Sequence, residues 1–298
     1  MNMNIKILHE RFCEESRLIR DLSPATIRWY RSTIEYYLKI SKVEELDQMT
    51  TKSVKEFLYY GRLERNWTAD SFVNIRKGLK SFLTWCVKQE YLKENPVDPI
   101  EKPRLKKKLP KRLTKDEALR VLDVSLNMKY GYRFLPYRNQ AVLGIMIYAG
   151  LRSLEMSQLK VREVDFENNL IHVINGKGGR DRIVPMCAAL KRMLLDYWKE
   201  RERLKKDSVY FFTCLRGDQQ FTYNSLKKVV GAVKRGSKIN FSPHKLRHTF
   251  ATLMLEGGCD LFTLSKMMGH SNIKTTTIYL SASVGHMQEQ MLKHPLNL

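Results

Sequence analysis

Late in a chain of 298 residues stands Ser242-Pro-His-Lys-Leu-Arg-His-Thr-Phe-Ala-Thr252, followed by Met268-Gly-His270-Ser-Asn and, nine residues past His270, by Tyr279. These residue types suit chemistry on a phosphate. His244, Arg247 and His248 fall within about one and a half helical turns, so two or three of them share a face. Arginine offers a planar fork of donors that matches phosphate oxygens and stays charged at any relevant pH. His270 adds a further donor, and Tyr279 carries a hydroxyl able to act as a nucleophile. Breaking a phosphodiester without a metal requires positive donors on the non-bridging oxygens, a nucleophile in reach of phosphorus and a proton for the leaving oxygen. A phenol with a pKa near about 10 is protonated at neutral pH, so cations and a base must activate it, with His244 as the expected base. The spacing His244-x-x-x-His248 also admits a metal. However, Lys245 stands where a metalloprotease needs glutamate, and a cation beside Arg247 is unfavourable, so no metal or other cofactor is expected and His248 reads as structural.

The elements that must hold these residues are mostly helical. From Ile5 to about Leu92 the pattern is one of helices separated by polar turns: Ser23-Pro24 starts one, Thr51 caps another and Thr68 a longer one. Trp29, Trp67 and Trp85 read as core or interface residues. Arg28, Arg31, Arg65, Arg76, Lys77 and Lys80 lie on the opposite faces, a surface suited to DNA phosphates, although a merely solvated face has the same pattern. Prolines 96, 99, 103 and 110 then interrupt a run of positive charge that includes Lys106, Lys107 and Lys108. The expected division is therefore a helical domain over 1–98, an extended basic linker over 99–112 and a second domain over 113–298.

Thr114 and Glu117 form a capping box that restarts helix. Helical pattern runs to Leu122 and again from Tyr137 to Tyr148, with Gly150-Leu-Arg152-Ser-Leu-Glu155 directly after it. Val164–Phe166, Leu170–Ile174 and Arg182–Pro185 predict a small antiparallel sheet whose second turn, Asn175-Gly-Lys177-Gly-Gly-Arg180, is rich in glycine. Val209–Phe212 reads as a short strand or buried extended run. Helix resumes over Leu190–Glu202, Tyr223–Lys234 and Pro243–Gly257. Taken alone, Arg152 with Glu155 is an ordinary i,i+3 ion pair and Lys177 an exposed turn lysine.

Composition narrows the partner. Fifty-three basic against 31 acidic residues leave a formal charge of +22 and a pI near 9.8, an excess that points to a polyanion, most plainly nucleic acid. Five scattered cysteines without a CxxC pair predict reduced core thiols of an intracellular, cytoplasmic or nucleoid-bound protein. No apolar run is long enough to span a membrane, and the start lacks a signal-peptide core.

The ordered set Arg152, Lys177, His244, Arg247, His270 and Tyr279 resembles the tyrosine site-specific recombinases of the phage integrase group, and most closely the Xer type. The resemblance covers nearly the whole chain. It implies that Arg152 and Arg247 clamp the scissile phosphate, Glu155 supports the site, and Lys177 protonates the 5′-oxygen. His244 and His270 then act as donors or proton carriers, and Tyr279 forms a 3′-phosphotyrosyl link without ATP or metal. Arg180 and Arg182 remain adjacent alternatives for contacting DNA. The implied fold is a mainly α protein with a small antiparallel β-sheet, a helical core-binding domain and a catalytic domain closing as a C-shaped clamp on double-stranded DNA. The implied assembly is a homo-tetramer on two sites, a dimer of dimers with room for accessory proteins, and the tail Met291–Pro295 resembles one that packs on a neighbouring protomer. The lack of an additional N-terminal domain argues against an integrase that also binds arm sites. Two rivals share parts of this pattern: a type IB topoisomerase-like nicking-closing enzyme, and a non-catalytic architectural DNA-binding protein.

Overall fold

The computed structural model describes residues 3–105, 111–174, 181–270 and 275–282. It divides into two compact units, Met1–Lys107 and Lys108–Leu298. The first unit holds α1 (Ile5–Leu18), α2 (Pro24–Ser41), α3 (Thr51–Leu63) and α4 (Ala69–Lys88). Their starts are set by side-chain caps: Asn4, Ser23, Thr50 and Thr68 each accept a backbone N–H from the first turn. The third cap is thus Thr50, one residue earlier than the sequence pattern indicates. Phe12, Tyr37, Phe57 and Phe82 are fully buried where the four helices meet. Trp85 joins them, while Trp29 and Trp67 pack at the edge of the same core.

Two expectations for this unit are corrected. Arg76 is not a DNA contact: it is buried, and its guanidinium donates to the carbonyls of Ile100 and Val97, both at 2.9 Å. The helix face that carries it turns inward to fasten the segment after α4. Val97 and Ile100 are themselves buried in the first core, so this unit continues past residue 98. Among its other basic residues, Arg28 and Lys77 are exposed, Arg31 is paired with Glu10 at 2.8 Å, and Lys80 is paired with Asp98. Lys106, Lys107 and Lys108 lie outside the described residues.

The α1 helix also buries His9, which sits edge-on to Phe82 with ring centroids 5.0 Å apart and has Cys13 Sγ 3.7 Å from its Nδ1. Burial pushes its pKa down to about 4; Glu10 opposes the shift and Arg31 adds to it. The unfolded chain binds this proton near pH 6.5 and the folded chain only near 4, so stability is full above pH 6.5 and falls as pH drops through that window. Of the stability lost in thermal melts between pH 7.5 and pH 4.5, about 2–3 kcal/mol should belong to His9, and the pH slope should be shallower by that amount in His9→Gln. An identical pH slope in the variant would contradict this.

In the second unit, α5 (Lys115–Asn127), α6 (Phe134–Tyr148), α8 (Ala188–Arg203), α9 (Tyr223–Ser237) and α10 (Pro243–Glu256) surround one core. The capping box is present, with Thr114 and Glu117 each accepting from the other's backbone. The central helix is α6, whose stretch Ala141–Ile147 is buried on every side. It starts earlier than the apolar pattern alone indicates, at Phe134, which is fully buried. Leu113 N–H donates to Thr249 on α10, and Arg112 pairs with Glu256 at 2.6 Å. Arg112 is therefore part of this unit and not of a free linker.

Strands β1 (Val164–Asp165), β2 (Leu170–Val173) and β3 (Arg182–Pro185) form an antiparallel sheet in sequence order. Ile171 pairs with Val184 and Val173 with Arg182, so alternation puts Arg182 on the same inward face as the buried Val184. The turn carrying Lys177 and Arg180 lies outside the described residues. Val209–Phe212 forms no strand. It is an extended run with an isolated bridge at Tyr210, and Phe211 and Phe212 are fully buried. Of the cysteines, Cys13 and Cys86 are core residues; Cys187 is exposed and Cys214 and Cys259 are half-buried, contrary to the expectation for all five. Among the described residues no helix is long and apolar enough to cross a membrane.

Candidate active site

Local sequence places each component. Helix α10 begins at Ser242, whose side chain caps Lys245 N–H, with Pro243 in the first turn. His244, Arg247 and His248 consequently occupy its first two turns. Short helix α7 (Ser153–Gln158) begins at Arg152, and Glu155 accepts the Arg152 backbone N–H at 2.8 Å. Ahead of Arg152, Gly150 adopts φ +61°, and a Cβ there would lie 2.2 Å from Phe250 Cδ1. Only glycine meets both demands. Helix α11 (Leu261–Met268), which the sequence pattern did not single out, ends at Gly269 in the left-handed region.

A helix terminus leaves its last carbonyls without intrahelical partners and carries partial negative charge. Here three arginines converge on three consecutive carbonyls. Arg182 Nε donates to Met267 at 2.7 Å, Arg247 Nη2 to Met268 at 2.6 Å, and Arg152 Nη2 to Gly269 at 3.1 Å. Arg247 also donates to the Gly150 carbonyl. Glu155 binds two of the three, receiving Arg182 at 2.9 and 2.7 Å and Arg152 at 2.6 Å. Burial raises the Glu155 pKa, but the bonds from Arg182 and Arg152 outweigh it and hold the carboxyl at about 2. Three guanidinium charges against one carboxylate leave a net +2 at this point, which suits an anionic ligand.

Bonding separates their roles. Arg152 keeps 25% of its side chain accessible, whereas Arg182 has its Nε on the Met267 carbonyl and both Nη atoms on Glu155. Arg182 therefore positions Glu155 and the end of α11. Glu155→Gln should remove the charge that holds both arginines and cost about 3 kcal/mol in urea denaturation, as when one partner of a buried pair is lost. An unchanged midpoint would show that the pair does not hold the site together.

The histidines are fixed by their neighbours. Arg247 Nη2 lies 3.2 Å from His270 Nε2, and since arginine can only donate, Nε2 must be an acceptor. The ring proton is then on Nδ1, 2.8 Å from Thr276 Oγ1. In this state His270 is an acceptor and not the donor expected from the sequence. Burial, reinforced by the three arginines, keeps it neutral with a pKa of about 4.

Tyr279 sits in a 3-10 turn over Thr277–Ala282 and is only 2% exposed, packed with Phe250, Ala251, Leu255, Leu264 and Met268. Its hydroxyl lies 2.8 Å from His248 Nδ1. His248 in turn packs at a tilt against the exposed His244, ring centroids 4.1 Å apart. Burial pushes the Tyr279 pKa up, opposed by Arg247 and Arg152. The phenol's partner is thus His248, which the sequence reading set aside as structural, and not His244. The signals were available: His248 lies one turn from His244, and β-alternation pairs Arg182 with Val184.

Residues 111–286 match the phage integrase family, and residues 8–93 match the phage integrase N-terminal SAM-like domain. The chain is 32% identical over 276 residues to tyrosine recombinase XerA of Pyrococcus horikoshii, covering 92% of this chain and 89% of that protein. It is 30% identical over 284 residues to tyrosine recombinase XerC of Escherichia coli, covering 93% and 92%. A crystal structure of XerH site-specific recombinase bound to palindromic difH substrate, a post-cleavage complex, superposes with a TM-score of 0.73 at 23% identity, over 95% of this chain and 83% of that one. That likeness establishes the fold. With a family match over more than half its length and Xer relatives along nearly all of it, the chain belongs to the phage integrase family as a tyrosine recombinase of the Xer type.

Proposed function

We propose that this protein is a site-specific DNA recombinase that cleaves and rejoins strands through a 3′-phosphotyrosyl intermediate on Tyr279. The observation that carries the reading is the placing of that phenol, through His248, on the same helix that sets Arg247 into the arginine cluster at the end of α11. Arg152 and Arg247 hold the non-bridging oxygens, with Glu155 and Arg182 behind them. When the phosphate draws Arg247 away, the His270 proton moves to Nε2, Nδ1 accepts from Thr276 Oγ1 in exchange, and Nε2–H then donates to the phosphate. Lys177, in the glycine-rich stretch between β2 and β3, supplies the proton to the 5′-oxygen. The reaction exchanges one phosphoester for another, so bond energy is conserved and neither ATP nor a metal is consumed.

Both units bind the duplex, with the basic segment that includes Lys106, Lys107 and Lys108 on its backbone and Arg28, Arg31, Lys77 and Arg180 on phosphates. Four chains on two sites, a dimer of dimers, exchange strands in pairs. The protein works in the cytoplasm at the nucleoid, with accessory proteins, in resolving chromosome or plasmid dimers or in moving a mobile element. Two labelled duplexes of unequal length, carrying a site selected from a random pool by binding, test this directly. Recombinant lengths should form in EDTA without ATP. Relaxation of supercoils with no exchange would indicate the topoisomerase-like activity instead. Because phosphate contacts dominate, affinity should fall by about 10³-fold or more between 50 and 200 mM salt in a mobility-shift titration, and a flat dependence would contradict backbone binding.

A further inference from the structure

We propose that His248 is a further catalytic residue, the group that accepts the phenolic proton of Tyr279 as its oxygen attacks phosphorus. This rests on Tyr279 being the nucleophile. The phenol is buried and protonated at neutral pH, so its proton must go to a neighbour. Its hydroxyl lies 2.8 Å from His248 Nδ1, with the two rings 5.4 Å apart. The other titratable groups around it are occupied or unable to accept. Arg152 and Arg247 are cations. Glu155 is committed to two arginines, and both nitrogens of His270 are engaged, one by Arg247 and the other by Thr276. His244 is exposed and packs at a tilt against the His248 ring, and the hydrogen bond to the phenol is made by His248.

The balance of the step is complete within the site. The Tyr279 O–H bond breaks and its proton passes to Nδ1, giving an imidazolium. The phenolic oxygen bonds to phosphorus, the bond from phosphorus to the 5′-oxygen breaks, and that oxygen leaves with a proton from the general acid assigned to Lys177. On rejoining, the 5′-hydroxyl attacks and the imidazolium returns its proton to the departing phenolate. Burial, with His244 and Arg247 adding to it, holds His248 at about 4 and makes it a poor base. A bound phosphodiester places negative charge against Arg247, relieving part of that depression, so the base strengthens when substrate arrives.

The test compares His248→Leu and His248→Asn with wild type in single-turnover formation of the covalent adduct on a nicked duplex. Each is also combined with 2,3,5-trifluorotyrosine at position 279, whose phenol ionises more readily. DNA affinity in a mobility shift serves as the folding check. Both variants should bind DNA within a few-fold of wild type and cleave about 100-fold more slowly at neutral pH, asparagine included, because it retains an acceptor atom but cannot take the proton. The deficit should shrink to less than about tenfold on the fluorinated nucleophile. Wild-type rates in His248→Leu, full activity in His248→Asn, or a deficit that fluorination leaves unchanged would each overturn the proposal. Adduct formation by Tyr279→Phe would instead overturn the nucleophile assignment itself, so the two failures are distinguishable.

Discussion

Replacing Tyr279 with phenylalanine is expected to reduce covalent adduct and strand exchange to below detection while leaving DNA affinity within a few-fold of wild type. The substitution deletes one oxygen. Among the described residues that oxygen makes one hydrogen bond, to His248 at 2.8 Å, and the ring is held by apolar neighbours that a phenylalanine meets equally well. The structural cost is that of one bond, about 1 kcal/mol, too little to unfold a domain with an extensive core. The effect on chemistry is total because the deleted oxygen is the atom assigned to attack phosphorus. A gel-resolved adduct from the variant at a rate near wild type would remove Tyr279 from the mechanism.

Arg247→Lys should lower single-turnover cleavage by about 10²–10³-fold, although the charge is conserved. The guanidinium spans the Gly150 carbonyl, the Met268 carbonyl and His270 Nε2 from a single planar group. A lysine ammonium is a compact point donor on a flexible stem and cannot bridge three acceptors set by three separate elements. Burial lowers the Arg247 pKa, with Arg152 and Arg182 adding to the shift and Glu155 offsetting it, to about 9, so the native group stays charged at neutral pH. Acceptors left without donors in a buried site cost about 1–3 kcal/mol, so the variant should also melt earlier. Near-wild-type turnover in Arg247→Lys would mean that the phosphate is held elsewhere.

Much of this site was legible from the sequence because its residues are bound to short local signals. The Ser242-Pro243 start fixes where α10 begins, and that in turn fixes the spacing of His244, Arg247 and His248. Gly150 before Arg152 announces a backbone conformation that side chains resist. The roles of partners were harder to read, because they depend on elements distant in sequence. Arg182 looked like a surface arginine beside a turn, and only pairing of β3 with β2 turns it inward onto Glu155. Arg76 looked like one of a row of exposed cations. The segment after α4 folds back over it and offers two carbonyls, something no helical periodicity records. His248 looked like packing because its function depends on Tyr279, 31 residues further on. Helix α11 was missed although its start is capped by Asp260 and its end marked by Gly269. At eight residues it is too short for periodicity to stand out, yet its terminal carbonyls organise the three arginines.

The measurement closest to the central claim is the identity of the residue joined to DNA. A nicked suicide duplex incubated with the wild-type protein in EDTA traps the cleaved strand. Trypsin then releases the peptide Thr275–Lys293, which contains a single tyrosine. Tandem mass spectrometry should place a nucleotide phosphate on Tyr279, attached through the 3′ end of the cleaved strand. A phosphate found on another residue, a link through the 5′ end, or cleavage that leaves no covalent peptide at all would contradict the account.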